Sequence, residues 1–320
     1  MKSIGLIVPY FGTLPKQRFQ LTLESCKRNN TIDWILITDD KTDYKYPENV
    51  KVVYQTWAEF VQFVKDNIYR RLRIKVEIDR PYKLTDYKPL YGDLFQRYLS
   101  AYDFWGYTDI SDIIYGNLRK YFVESDLEQF EKLNFLGHLT IFKNTKEVNE
   151  RYKLPMNGNI SIEDILSSPE NFAFDESQRD SIHRIYLDNN FPFKRIDEMV
   201  ADVSPLRFAF QLSKFDNNYQ QYYEPFIETI FSYEQGSLFE WQIKNNNYII
   251  SKEIGYMHFQ KRMLNSKIKT YNGSFIITPY GFIDQQNIDL KLIKKSSPRK
   301  IYIPFFKLKW RALLKKIKKN

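Results

Sequence analysis

Ile4-Gly5-Leu6-Ile7-Val8-Pro9 is a short, wholly apolar run closed by a proline, and it reads as a buried central strand. Pro9-Tyr10-Phe11-Gly12 is a turn at its carboxyl end. Residues 14–29 follow with Phe19, Leu21, Leu23 and Cys26 at spacings compatible with a helix. Trp34-Ile35-Leu36-Ile37-Thr38 is a second apolar run, ending in Asp39-Asp40, and residues 50–54 form a third after a turn at Pro47. Strand, helix, strand, loop, strand from the first residues is the opening of an α/β protein with a mostly parallel central sheet. In open sheets of this kind, ligands sit beyond the carboxyl ends of the strands. Tyr10 and Asp39-Asp40 fall at such ends.

A second informative stretch lies further along, Tyr102-Asp103-Phe104-Trp105-Gly106-Tyr107-Thr108-Asp109-Ile110-Ser111-Asp112-Ile113-Ile114-Tyr115. Its aromatic run reads as a buried strand, followed at once by Asp109 and Asp112. Carboxylates at the mouth of a buried strand are costly unless something positive neutralises them. A divalent cation held by hard oxygen ligands does so, and such sites complete their coordination with substrate phosphates. The competing reading is a strand-ending turn with solvated acids.

Composition narrows the class. A chain of 320 residues with 43% hydrophobic and 17% aromatic content holds a sizeable core, which excludes global disorder. Only 11 glycines are present, which argues against a glycine-rich phosphate loop. The single cysteine, Cys26, permits neither an internal disulfide nor a thiolate zinc site. Met1-Lys2-Ser3 leads straight into a strand-like run without signal-peptide regions, so the expected compartment is a reducing cytoplasm. No apolar stretch has the length needed to span a bilayer.

The net charge of +9 is unevenly placed. Residues 291–320 contain twelve Lys or Arg and no acid, so the remainder carries about −3 by the same count. The near-neutral body argues against a basic nucleic-acid groove. In the tail, Phe306, Trp310, Leu313, Leu314 and Ile317 recur at helical spacing, with Lys307, Arg311, Lys315, Lys318 and Lys319 on the other faces. A basic amphipathic helix of this kind lies in a membrane interface and prefers anionic lipid. Residues 299–320 are therefore expected to hold the protein peripherally on the inner face of the plasma membrane. The alternative is a helix packed on the body with a solvated cationic face.

Between these landmarks, residues 58–80 are charged and helical in character, and 83–89 form a loop carrying Lys83 and Lys88. Residues 91–102 form a helix and 135–142 a strand containing His138. Short helices are expected at 161–167 and 177–189, and strands at 239–251 and 275–278. The pair Asp175-Glu176 offers a general base or a substrate clamp, or else the acidic first turn of a helix. Gly255-Tyr256-Met257-His258-Phe259-Gln260-Lys261 places a histidine and a lysine three residues apart after an apolar lead. The expected organisation is one domain over 1–290, in two parts, 1–120 and 121–290, then the tail 291–320.

Three stretches together resemble a family of bacterial glycosyltransferase-like proteins encoded in capsule and surface-polysaccharide loci. They are Ile7-Val8-Pro9-Tyr10-Phe11-Gly12, the segment 83–92 running into Tyr102 to Asp109, and Met257-His258-Phe259-Gln260-Lys261. The similarity covers most of residues 4–280. More distantly, the chain is similar to retaining sugar transferases of the glycogenin and lipopolysaccharide-galactosyltransferase type, which implies a GT-A fold. The resemblance implies Asp109, Asp112 and His258 as ligands of Mn²⁺ or Mg²⁺, and Lys261 as a diphosphate contact. It further implies Tyr10 near the nucleotide base, Asp39 accepting hydrogen bonds from uracil or ribose, and Lys88 near the diphosphate. The implied donor is a UDP-sugar and the acceptor a lipid-linked glycan, with 1–120 as nucleotide-sugar half, 121–290 as acceptor half carrying the C-terminal metal and phosphate ligands, and Asp175 and Glu176 as candidate carboxylates near the acceptor.

The family's Asp-x-Asp motif is Asp109-Ile110-Ser111-Asp112 here, one residue longer. Either Asp112 reaches the cation through a bulged turn, or one acid binds directly and the other through water. Two other classes remain in view. A carboxylate-based glycoside or phosphodiester hydrolase would release product without an acceptor. A catalytically inactive polysaccharide-binding or scaffold protein would agree with the broken spacing.

Overall fold

The apolar runs at the start of the chain become strands Ile4–Tyr10, Ile32–Thr38 and Val50–Tyr54, with helix Lys16–Lys27 between the first two. The structure is a computed structural model that describes residues 1–158, 160–176, 180–245, 248–269 and 271–317. The chain forms two compact units interleaved along the sequence. The first comprises residues 1–16, 29–111 and 119–196, and the second 17–28, 112–118 and 197–320.

The first unit is built on a seven-stranded mixed sheet, mostly parallel. Its order is Val50–Tyr54, Ile32–Thr38, Ile4–Tyr10, Phe104–Thr108, Leu139–Lys143, Lys132–Leu136 and Phe193–Lys194. Successive strands grow outward from Ile4–Tyr10 on one side, and Phe104–Thr108 joins it in parallel on the other. The strand order therefore reverses beside Ile4–Tyr10, and the carboxyl ends of these two strands flank the switch, the usual ligand position in such sheets. Gly106 lets the sheet close here, since a Cβ on it would lie 2.4 Å from the Thr140 carbonyl oxygen. One face packs Ile7, Ile35, Trp105, Tyr107 and Phe142 against Phe60, Val64 and Ile68 of helix Trp57–Leu72. That helix starts at a capping box, in which Thr56 and Glu59 satisfy each other's backbone N–H. It stops where Arg73 turns left-handed at φ 61°. The expected continuation to residue 80 is absent because the chain runs extended from there toward Pro81.

Residues 83–89 are a helix rather than a loop, part of the 3₁₀ stretch Pro81–Leu90. The expected helix at 91–102 is broken into Tyr91–Leu94 and Gln96–Leu99. Residues 135–142 are not one strand. They span the turn of a hairpin, Lys132–Leu136 and Leu139–Lys143, and Gly137-His138 form its tip. Helix Ile162–Ser167 forms as expected behind its cap Ser161, whereas the next helix is shorter than 177–189 and runs Ile182–Asp188 from cap Ser181. Residues 177–179 lie outside the described part of the chain.

The second unit carries two five-stranded sheets. One runs Gln221–Tyr223, Leu212–Phe215, Val200–Val203, Tyr256–His258 and Ile113–Tyr115; the other is antiparallel and runs Tyr248–Ile254, Ser237–Lys244, Thr229–Glu234, Ser274–Thr278 and Gly281–Asp284. The expected single strand 239–251 is thus two strands of a hairpin. Helix Lys16–Lys27 contributes Leu21 to a core with Ile114, Val203, Phe231, Leu238, Met257 and Phe275. Cys26 is buried on helix Lys16–Lys27. The basic segment contains helices Leu290–Ser296 and Ile303–Ile317. Among the described residues no helix is long and apolar enough to cross a membrane.

Candidate active site: two charge clusters at strand ends

In the first unit, Asp109 follows the central strand Phe104–Thr108, and its backbone N–H donates to the His138 carbonyl at 3.3 Å. Lys88 reaches it from the 3₁₀ helix. The Lys88 ammonium donates to Asp109 Oδ1 at 3.0 Å and to the Gly137 carbonyl at 2.8 Å, and lies 3.3 Å from Asp175 Oδ2. One buried cation thus serves two carboxylates. Burial alone lowers the Lys88 pKa, but Asp109 and Asp175 outweigh it and hold the amine charged. Asp175 is itself buried, which raises its pKa; Lys88 opposes that rise while Glu176 and Asp109 add to it. Gly137 is what admits this approach: a Cβ there would sit 2.5 Å from Asp175 Oδ2. Asp175 and Glu176 occupy a turn ahead of Ser181, so they are not the acidic first turn of a helix.

Beside the switch in strand order, Asp39 and Asp40 separate into two roles. Asp40 is buried, and accepts from the Leu14 N–H at 2.8 Å, the Thr42 N–H and hydroxyl at 2.9 and 2.6 Å, and the Tyr44 hydroxyl at 3.1 Å. Burial works to raise its pKa, but these donors lower it overall. Asp39 is exposed and accepts the Gly12 N–H at 2.8 Å, in a turn that glycine's φ of +105° makes possible. Tyr10 stands half-buried at the end of the first strand. Lys83 is not at a surface: it is fully buried, bonded to Asp86 at 2.7 Å and to the carbonyls of Ile165 and Glu170.

The second cluster belongs to the second unit and is set by three adjacent strands. His258 ends Tyr256–His258, and its register partners are Ile113 on one side and Asp202 on the other. Its Nδ1 lies 2.8 Å from Asp202 Oδ1, and its Nε2 lies 3.7 Å from Asp112 Oδ2. The Phe259 N–H donates to the Asp112 carbonyl at 2.9 Å, fixing the acid's backbone beside the histidine strand. Gln260 donates to both Asp202 oxygens at 3.1 and 2.9 Å. Burial works to lower the His258 pKa, yet hydrogen bonding and charge from Asp112 and Asp202 raise it well above the usual value. In a neutral ring, bonding of Nδ1–H to Asp202 leaves the Nε2 lone pair on the Asp112 side.

Lys261 is exposed directly after this site, because Gln260 turns the chain with φ 49° and Arg262 pins the next residue. The Arg262 guanidinium is buried among the carbonyls of Ser204, Arg207, Phe208 and Ala209. The sequence singled out His258 and Lys261 but not Asp202, Gln260 or Arg262. An acid inside the otherwise apolar Val200-Ala201-Asp202-Val203 was the available signal.

The structure therefore brings Asp112 together with His258, and Lys88 together with Asp109 and Asp175, and it sets Tyr10 and Asp39 at neighbouring parallel strand ends. No curated protein matches the sequence. Residues 6–286 match a family described as a family of unknown function, DUF6625, and the chain belongs to that family.

Proposed function

We propose that this protein is a glycosyltransferase of GT-A type that moves a sugar from a nucleoside-diphosphate sugar, a UDP-sugar, to a glycan acceptor with the help of a divalent cation. The observation that carries this reading is the Asp112–His258 pair backed by Asp202. Two donors held at about 2.1 Å from one ion lie no more than about 4.2 Å apart, and the 3.7 Å between His258 Nε2 and Asp112 Oδ2 fits that span. A carboxylate oxygen suits Mn²⁺ or Mg²⁺, and the imidazole nitrogen tips the choice toward the transition metal, Mn²⁺. Asp202 supplies the outer hydrogen bond that ligating histidines need. The resemblance adds Asp109, three positions earlier in the chain.

A cation bound there supplies positive charge for the leaving diphosphate. The remaining work falls to the chain's own groups. Lys261, exposed and placed by the Arg262 anchor, contacts the diphosphate and stabilises the negative charge that develops on it. Tyr10 packs against the nucleoside base, and Asp39 accepts from uracil or ribose. Lys88 holds Asp109 and Asp175 in fixed positions, and Glu176 lies next to them as the second carboxylate for the acceptor hydroxyl. A lipid-linked surface glycan is the acceptor class that the basic tail favours.

The test is turnover of UDP-sugars with Mn²⁺ by the wild type, Asp112→Asn and His258→Ala. Both variants are expected to lose turnover and the thermal stabilisation given by Mn²⁺, with unchanged circular dichroism. Full activity in either variant refutes the site. Release of free sugar independent of any acceptor would favour the hydrolase instead, and glycan binding without turnover would favour a scaffold.

A further inference from the structure

The C-terminal helix Ile303–Ile317 is attached to the second unit at its start. Ile301 forms a β-bridge with Arg207, and the Phe208 N–H donates to the Lys300 carbonyl at 3.3 Å. Tyr302 is buried, with its ring 5.0 Å from the Arg262 guanidinium and 6.5 Å from the Phe208 ring. Phe305, one turn on, is buried as well. These contacts fix the beginning of the helix and its direction. They do not use its apolar stripe.

That stripe is Ile303, Phe306, Trp310, Leu313 and Leu314, all exposed, with Trp310 at 61%. The spacing i, i+3, i+7, i+10, i+11 lays the five on one side of a helix with 3.6 residues per turn, about 100° wide. Lys307 and Lys309, both exposed, border the stripe on opposite flanks and line the same shallow groove as Ile303, Phe306, Trp310 and Leu313. An apolar patch of this kind rimmed by one sign of charge marks an interaction surface.

We propose that this stripe is a membrane-docking face, on which the helix lies in the plane of an anionic bilayer's interface with the two lysines at headgroup level. The charge pattern selects the occupant. Residues 291–320 contain twelve basic groups and no acid. A second copy of the helix would bring cationic rims together with no carboxylate to pair them, whereas anionic headgroups neutralise both rims at once. Trp310 and Phe306 are the side chains suited to the boundary between headgroup and acyl chain. Because the helix is fixed through Tyr302 and Phe305, docking also fixes the orientation of the second unit against the lipid surface. This inference stands apart from the sugar-transfer reading and does not require it.

The experiment uses the full chain and flotation with vesicles of phosphatidylcholine, with and without phosphatidylglycerol. The wild type is expected to float with the anionic vesicles, less so at high salt, and poorly with the neutral ones. Lys307→Gln/Lys309→Gln should weaken anionic-vesicle binding by roughly 30-fold. Trp310→Glu/Leu313→Glu should abolish it while circular dichroism stays unchanged, since both positions are exposed. Equal partition onto neutral and anionic vesicles, no partition onto either, or undiminished binding by the Glu variant overturns the proposal. So does conversion of a dimer into a monomer by the Glu variant with vesicle binding unaltered, which would assign the stripe to a second copy.

Discussion

Replacing Lys88 by Met removes the cation shared by Asp109 and Asp175. Three interactions go at once: the 3.0 Å bond to Asp109, the 3.3 Å pair with Asp175 and the 2.8 Å bond to the Gly137 carbonyl. Asp109 is about one-third exposed and water takes over its solvation, whereas Asp175 has nowhere to turn. Where Asp175 is ionised, breaking the buried pair from one side costs about 3–5 kcal/mol, because the remaining charge stays uncompensated. The loss depends on pH with a definite sign. A carboxyl whose folded pKa is raised destabilises the fold progressively as pH climbs from its unfolded value, about 3.9, through the folded one. Asp175 is already raised by burial, and loss of Lys88 raises it further. With its folded pKa pushed up to about 8, Asp175 holds its proton below that pH in both proteins, so the variant's loss relative to the wild type is expected to be smallest at about pH 5 and to widen as pH rises above about 8. Urea unfolding followed by tryptophan fluorescence measures this. The double variant Lys88→Met/Asp175→Asn should recover much of the loss, giving a coupling energy well above the few tenths found for independent sites. A loss below about 1 kcal/mol, or no recovery in the double variant, refutes the view that one buried cation organises this cluster.

Asp202→Ala should weaken Mn²⁺ binding by about 10–100-fold, as loss of an outer hydrogen bond to a ligating histidine does; calorimetry reads it, and unchanged affinity excludes the positioning role. His258 gives a slope of the same sign as Asp175, stability falling as pH rises, but through a charged form that its neighbours stabilise rather than one that burial penalises. Its folded pKa is raised by Asp112 and Asp202, so its contribution is complete below about pH 6.5 and is lost as pH rises through the folded value. In metal-free buffer the second unit should weaken from about pH 6 toward alkaline pH, and His258→Asn should flatten that slope in urea titrations.

The first two strands were legible because each holds an uninterrupted run of aliphatic and aromatic residues ended by turn residues, and the third because Lys51 alone interrupts its β-branched valines. The hairpin over 132–143 was not, since its tip, Gly137-His138, holds only one turn-forming residue and sits between apolar runs on both sides. The second hairpin hid similarly, since its strands Ser237–Lys244 and Tyr248–Ile254 flank an asparagine-rich stretch of sequence that the pattern of alternation crosses. The strands between 200 and 234 were missed because three of them are only three or four residues long, too short to display a period-two alternation. At the site, His258 and Asp112 were visible as residue types, whereas Asp202 became visible only through strand register. Lys83 shows the limit from the other side. A lysine reads as solvated by default, and only its partner three residues on, Asp86, hinted that both are buried. The extra residue in Asp109-Ile110-Ser111-Asp112 also has a structural setting, since the chain passes from the first unit to the second between Ser111 and Asp112.

That interleaving bears on how the protein is made. Helix Lys16–Lys27 belongs to a core whose other members, apart from Ile114, begin after residue 197. At about 5–20 residues per second, the ribosome releases this helix roughly 10 to 50 seconds before those partners exist. Throughout that interval Leu21 and its neighbours are an uncovered apolar face on a nascent chain, a natural substrate for a chaperone that holds rather than folds. No contiguous gene fragment encodes either unit, so the two are inherited, expressed and lost together.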